Sequence, residues 1–167
     1  LKLYVSTDFS GLTGKNKQED STMVVTHQWK DISDLANFSA VSNSTNNTSI
    51  PLDEYLGKKL TIAFKYEPKQ NSATQPTWVI SNLVVENTTK SNNAVSQIKA
   101  STMGFTVLDL ISSTPYKNNG GAGVWDLRNI GAANSVMRIQ SSPSGQPINE
   151  DWLISNPIVI NSRPADS

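Results

Sequence analysis

In the run Leu60-Thr61-Ile62-Ala63-Phe64-Lys65-Tyr66 the large apolar residues occupy every second position. A pleated strand turns successive side chains to opposite faces, so Leu60, Ile62, Phe64 and Tyr66 form one stripe that has to be buried. Comparable β-branched and aromatic runs lie at 1–5, 23–32, 77–85, 104–111, 135–140 and 151–160. Between them come turn-rich stretches at 11–20, 37–49, 68–76, 87–94, 117–123 and 141–149. Helical turns are short and confined to 31–38 and 52–56. Many strands joined by polar loops predict an all-β domain, a two-sheet antiparallel β-sandwich or jelly roll, rather than a parallel α/β sheet.

The 167 residues suit one such domain, spanning 1–167, with one core. Of these residues 37% are hydrophobic and 17% charged, and the polarity comes largely from Ser, Thr and Asn, which describes a globular chain rather than a disordered one. Basic and acidic residues number 14 each, so no overall field draws the chain to nucleic acid or to an anionic membrane. Without cysteine there is no disulfide framework, thiolate metal site or cysteine nucleophile. No apolar run reaches the roughly 18–20 residues that span a bilayer, so this segment is not expected to insert directly into a membrane. The chain opens on Leu1, directly in a strand-like run, and reads as a fragment of a longer exported protein whose targeting segment lies upstream. The Asn-Xaa-Ser/Thr triplets at Asn43, Asn46, Asn47 and Asn87 arise easily in a composition this rich in those residues and carry no weight.

Several phrases resemble a known type of module. Leu3-Tyr4-Val5-Ser6-Thr7-Asp8-Phe9-Ser10-Gly11 is followed by Trp29-Lys30-Asp31-Ile32-Ser33, then by the run from Ile50 through Leu52-Asp53-Glu54-Tyr55-Leu56-Gly57-Lys58 to Tyr66, then by Thr77-Trp78-Val79-Ile80-Ser81-Asn82-Leu83-Val84-Val85. This order is similar to jelly-roll modules of large secreted bacterial proteins, including the choice-of-anchor type. In these a Trp-bearing strand leads to a "vDLs-x-y-x-Gk" segment, an "iaFrY" strand and a "W-x-idn-x-x-v" strand. Glu150-Asp151-Trp152-Leu153-Ile154-Ser155-Asn156-Pro157-Ile158 resembles the "dDWLISP-x-i" signature of the same superfamily, although there it usually comes early. With that phrase late, the chain resembles a Bacteroidetes family of surface lipoproteins with a domain of unknown function. The likeness covers most of 1–86 and 151–160. It implies a galactose-binding-like jelly roll, placement at the cell surface or outer membrane through an upstream anchor, and neighbours in polysaccharide uptake. It implies no catalytic residue.

The residues themselves supply little chemistry. His27 is the sole histidine and alternates with Val25 and Trp29 along an expected strand, where a hydrogen-bonded structural role outweighs that of a general base. No nucleophile elbow, paired-histidine zinc motif or phosphate-cradling glycine loop occurs. The neighbouring acids Glu19-Asp20, Asp53-Glu54 and Glu150-Asp151 fall in turns or at strand edges, and adjacent strand residues point to opposite faces, so a glycosidase pair is not expected. Asp109 shares a strand face with Phe105, Val107 and Ile111 and therefore needs a hydrogen-bond or ion-pair partner, or else serves as a structural calcium ligand. No other cofactor is expected.

The tryptophans divide the functional readings. Trp29, Trp78 and Trp152 lie in apolar strand patterns and are expected in the core. Trp125 follows Lys117-Asn118-Asn119-Gly120-Gly121-Ala122-Gly123 and precedes Asp126 and Arg128. A sugar offers an apolar face to an aromatic ring and hydroxyls to carboxylate, guanidinium and amide groups, so Tyr116, Asn118, Asn119, Trp125, Asp126 and Arg128 form a candidate glycan site. The competing reading, held slightly ahead, packs Trp125 into one end of the core. Two functions follow: a non-catalytic module binding polysaccharide or glycan in a carbohydrate-uptake system, or a structural spacer or protein-interaction domain serving other domains of the same chain. An exposed Trp125 favours the first and a buried one the second.

Overall fold

The computed structural model describes residues 1–39, 44–67, 77–88, 95–110, 125–127, 129–131, 136–139 and 150–161. Along the chain these form β1 (Lys2–Ser6), α1 (Lys17–Thr26), β2 (Lys30–Asp31), α2 (Ser33–Ala36), β3 (Lys59–Tyr66), β4 (Trp78–Ser81), β5 (Val84–Thr88), β6 (Val95–Lys99), β7 (Thr106–Asp109), β8 (Trp125–Asp126), β9 (Val136–Ile139), β10 (Asp151–Ile154) and β11 (Ile158–Val159). Single 3-10 turns occur at Asp53–Tyr55 and Ala100–Thr102. The two short helical segments at 33–36 and 53–55 lie where the sequence places them.

The main sheet runs β2-β1-β3-β10-β7 with every pairing antiparallel, and β11 adds to the far end of β3. A second sheet runs β4-β9-β8, and β5 and β6 form a two-stranded ribbon. The alternation along β3 becomes a physical division: Leu3, Val5, Ile62, Phe64, Val107 and Leu153 share the inner face through the pairs Leu3↔Phe64, Val5↔Ile62, Leu153↔Phe64 and Leu153↔Val107. Against this face pack Trp125, Met137 and Ile139 of the second sheet and Val85 of the ribbon, which makes an all-β sandwich around one large core.

The outer face of the main sheet is also covered, by helix α1. Phe9, Val24, Ala63, Leu108, Trp152 and Ile154 form a second, smaller core, with Tyr4 and Trp29 packed at its margin. Here the structure corrects the strand expected over 23–32 and the turn expected over 11–20, because 17–26 is helical. Asn16 caps the helix by accepting the Glu19 N–H at 3.1 Å, and Asp20 accepts the backbone N–H groups of Thr13 at 2.7 Å and Gly14 at 3.0 Å. Val24 is the one apolar residue that the helix buries fully, so no amphipathic stripe marks it in the sequence. The run 77–85 also divides: Asn82 takes a left-handed conformation (φ 55°) and β4 and β5 enter different sheets.

The segment after β10 fastens the sheet. Ser155 Oγ accepts the Ile62 N–H at 2.9 Å, and the Ser155 N–H donates to the Ile62 carbonyl at 2.9 Å, extending the β10–β3 pairing past the strand's end. The Asn156 N–H donates to the Met103 carbonyl at 2.9 Å, which lays the Asn156 side chain over Gly104. Gly104 has φ +66°, and a Cβ there would come within 2.7 Å of Asn156 Cγ. Gly104→Ala is therefore expected to destabilise the domain by about 2 kcal/mol from the left-handed backbone alone, with the contact adding to it. Chemical denaturation checks this, and adding Asn156→Gly should recover the contact component but not the backbone one.

Candidate functional site

Trp125 lies at the centre of the inner core with 0% of its surface exposed. Its indole N–H donates to the Asp151 carbonyl at 3.4 Å, and its ring sits 6.4 Å from Phe64. A ring in this position offers no face to a sugar, which corrects the stacking-platform expectation for Trp125 and agrees with the packing alternative. Asp126 is likewise buried, with Arg138 Nη2 at 3.9 Å from its Oδ2. Tyr116, Asn118, Asn119 and Arg128 lie outside the described residues. Trp152 is buried as expected, whereas Trp29 and Trp78 are only partly so, Trp78 lying edge-on to Phe38 at 5.6 Å.

Asp109 belongs to a polar row across three strands. It lies directly opposite Asp151, which lies directly opposite Tyr66, and directly opposed residues share a face. Asp151 is 0% and Asp109 8% exposed. Burial, followed by the negative charge of Asp151, pushes the Tyr66 phenol from its ordinary 10.0 up to about 12. Among the described residues no group of three or more His, Asp or Glu side chains converges on a metal position.

The outer face carries a different assembly. Ala63 of β3 is small, so Tyr4 of β1 and Trp152 of β10 meet above it, their rings stacked at 5.6 Å and 25°. Trp29 extends the group at 5.9 Å from Trp152 and 6.5 Å from Tyr4, and Phe9 follows at 4.8 Å from Trp29. Trp29 is held by its indole N–H donating to the Val24 carbonyl at 2.9 Å. At the start of β1 the aromatic row opens into a cleft of about 200 Å³ lined by Leu1, Lys2, Tyr4, Lys65 and Glu67.

Charges on the rim of the cleft are fixed. The Lys65 ammonium lies 2.9 Å from Glu67 Oε2, 3.7 Å from Glu150 Oε1 and 5.7 Å above the Trp152 ring. Burial opposes its charge, but the two carboxylates outweigh burial and raise its pKa. Glu150 also accepts the Trp152 indole N–H at 3.1 Å. The cleft therefore combines a partly exposed aromatic ring, backed by a buried one, with carboxylate acceptors and an ammonium donor held in place. Sequence reasoning missed Tyr4, Lys65 and Glu67. The available signal was that Tyr4 and Lys65 sit on the outward stripe of their strands, between the buried Leu3 and Val5 and between Phe64 and Tyr66.

Beside this row, His27 follows helix α1 instead of lying within a strand, its N–H donating to the Met23 carbonyl. Its Nε2 lies 2.7 Å from Ser6 Oγ and 3.3 Å from Asp8 Oδ1, and Ser6 Oγ donates to Asp8 at 2.8 Å while accepting the Asp8 N–H at 3.1 Å. Serine and acid thus both face the same imidazole nitrogen, Nε2, whereas a nucleophilic triad needs the acid on Nδ1 and the serine on Nε2. This cluster ties the end of β1 to the end of α1. Of the adjacent acids, Asp20 holds the loop before α1 and Glu54 pairs with Lys30 at 2.8 Å. Glu150 contacts Lys65 and the Trp152 indole, and Asp151 faces the inner core.

A family model described as a domain of unknown function, DUF5017, matches residues 1–105. No curated protein and no solved structure gives a match.

Two outcomes follow from the inner face. Trp125→Ala should cost about 3–5 kcal/mol, the range for deleting a buried large aromatic, and should show in the denaturation midpoint. The raised Tyr66 pKa means that folding favours the neutral phenol. That contribution is complete below about pH 10 and is lost as pH rises toward 12. Tyr66→Phe should therefore flatten the fall in stability across that window, measured by denaturation at stepped alkaline pH.

Proposed function

The chain belongs to the DUF5017 family, and from the cleft beside Tyr4 we propose that this member is a non-catalytic module that binds glycan at the cell surface. The observation that carries the reading is the Tyr4 ring, stacked on Trp152 and opening onto a cleft of about 200 Å³ whose lining includes the Lys65–Glu67 ion pair. Ligand sites join an apolar wall to a few convergent polar groups, and a cleft of this size suits a single sugar unit more than a drug-sized ligand. A pyranose would lay its C–H face on Tyr4 and place hydroxyls on the Glu67 carboxylate and the Lys65 ammonium. The arrangement of Ser6, Asp8 and His27 supports binding without turnover.

The proposal extends to the wider setting implied by the motif resemblance: a galactose-binding-like jelly roll, exported and anchored at the cell surface or outer membrane, serving carbohydrate uptake with other domains of the same chain. The burial of Trp125 favours a second reading, a spacer or protein-interaction domain with no ligand of its own.

Screening the domain against plant, fungal and host polysaccharides separates the two. Tyr4→Ala is expected to weaken binding by about tenfold or more, equivalent to about 1.4 kcal/mol, with the cooperative unfolding transition retained. If no glycan is retained, or if Tyr4→Ala binds as the parent does, the spacer reading replaces the glycan one.

A further inference from the structure

We infer that the cleft beside Tyr4 selects an uncharged sugar unit over a uronate or a sulfated one; this rests on the glycan reading above and narrows its ligand class. A site for an acidic sugar needs a cation free to pair with it. Among the described residues that line the cleft, both lysines already face a carboxylate. Lys65 lies between Glu67 at 2.9 Å and Glu150 at 3.7 Å, and Lys2 lies 3.8 Å from Asp31.

A carboxylate or sulfate entering the cleft would therefore meet Glu67, and both lysines among the described residues that line the cleft are already paired, Lys65 with Glu67 and Glu150 and Lys2 with Asp31. Like charges brought together without compensation oppose binding. Sugar hydroxyls meet the opposite situation. A carboxylate accepts hydrogen bonds through two oxygens, and Glu67 and Glu150 are each held in position by Lys65, with Glu150 fixed further by the Trp152 indole. Lys65 thus acts as a positioning residue for two acceptors rather than as an anion receptor. Binding of this kind depends weakly on ionic strength, because no net charge is exchanged between ligand and cleft.

The test is an equilibrium pull-down of the whole 167-residue chain on immobilised polysaccharides of two kinds. Neutral galactan, arabinan, mannan and glucan form one panel, and polygalacturonate, alginate and a sulfated glycan the other. The expected result is retention on at least one neutral polymer, unchanged when salt is raised, and no retention on the anionic panel. The double variant Glu67→Gln and Glu150→Gln should release Lys65 and gain retention on polygalacturonate that salt abolishes. Anionic polymer bound by the parent chain as tightly as neutral polymer would overturn the inference while leaving the glycan reading standing. Retention on neither panel would overturn both.

Discussion

Strand β10 is the element on which the rest of the sandwich depends, because it is an interior strand of the main sheet, between β3 and β7, and buried on both faces. All four of its residues, Asp151 to Ile154, are buried. Leu153 enters the inner core against Phe64 and Val107, while Trp152 and Ile154 enter the outer core against Ala63 and Leu108. A shift of one residue would exchange these sets, placing Trp152 in the inner core and Leu153 under α1, so both cores fix the same register. The segment that follows makes that register tighter, through Ser155 on Ile62 and Asn156 on Met103 and Gly104.

The two faces carry different work. On the inner face large side chains from two sheets and a ribbon close around Trp125, and the polar row Tyr66, Asp151 and Asp109 sits at the end of the same face. On the outer face a short helix covers only part of the sheet. What it leaves uncovered is the Tyr4 edge of an aromatic row whose deeper members are buried. The cleft thus inherits its rigidity from β1, β3 and β10, three adjacent strands, and its polarity from ion pairs that those strands hold in register.

What the sequence reveals follows from how local each determinant is. The stripe in 60–66 and the run 151–160 locate β3 and the stretch that the structure divides into β10 and β11, because an apolar period of two and a continuous apolar run are written in consecutive residues. Helix α1 is hidden for the opposite reason: Met23-Val24-Val25-Thr26 has the composition of a strand, and the helix buries one apolar residue fully rather than a stripe. The cap at Asn16 with Glu19 three residues on was the local sign of it. Strand β6 escaped notice because its burial is slight, only Ile98 packing on the core. Trp125 left two readings open, with packing slightly ahead, because glycines and polar residues flank it while its burial is set by Phe64 and Asp151, which are distant in sequence. The cleft was invisible for a related reason. Tyr4, Lys65 and Trp152 come from three strands, and nothing in any one strand says that Ala63 leaves room for two rings to meet.

The most direct test of this division between a folding face and a binding face is to follow the four tryptophan indole N–H resonances by NMR while a neutral oligosaccharide is added. The expected result is that Trp152 and Trp29, which back and flank the Tyr4 cleft, shift in proportion to occupancy, while Trp125 and Trp78 in and beside the inner core stay in place. Movement of the Trp125 resonance with Trp29 and Trp152 unchanged would contradict the account and return the binding surface to the Trp125 end of the fold.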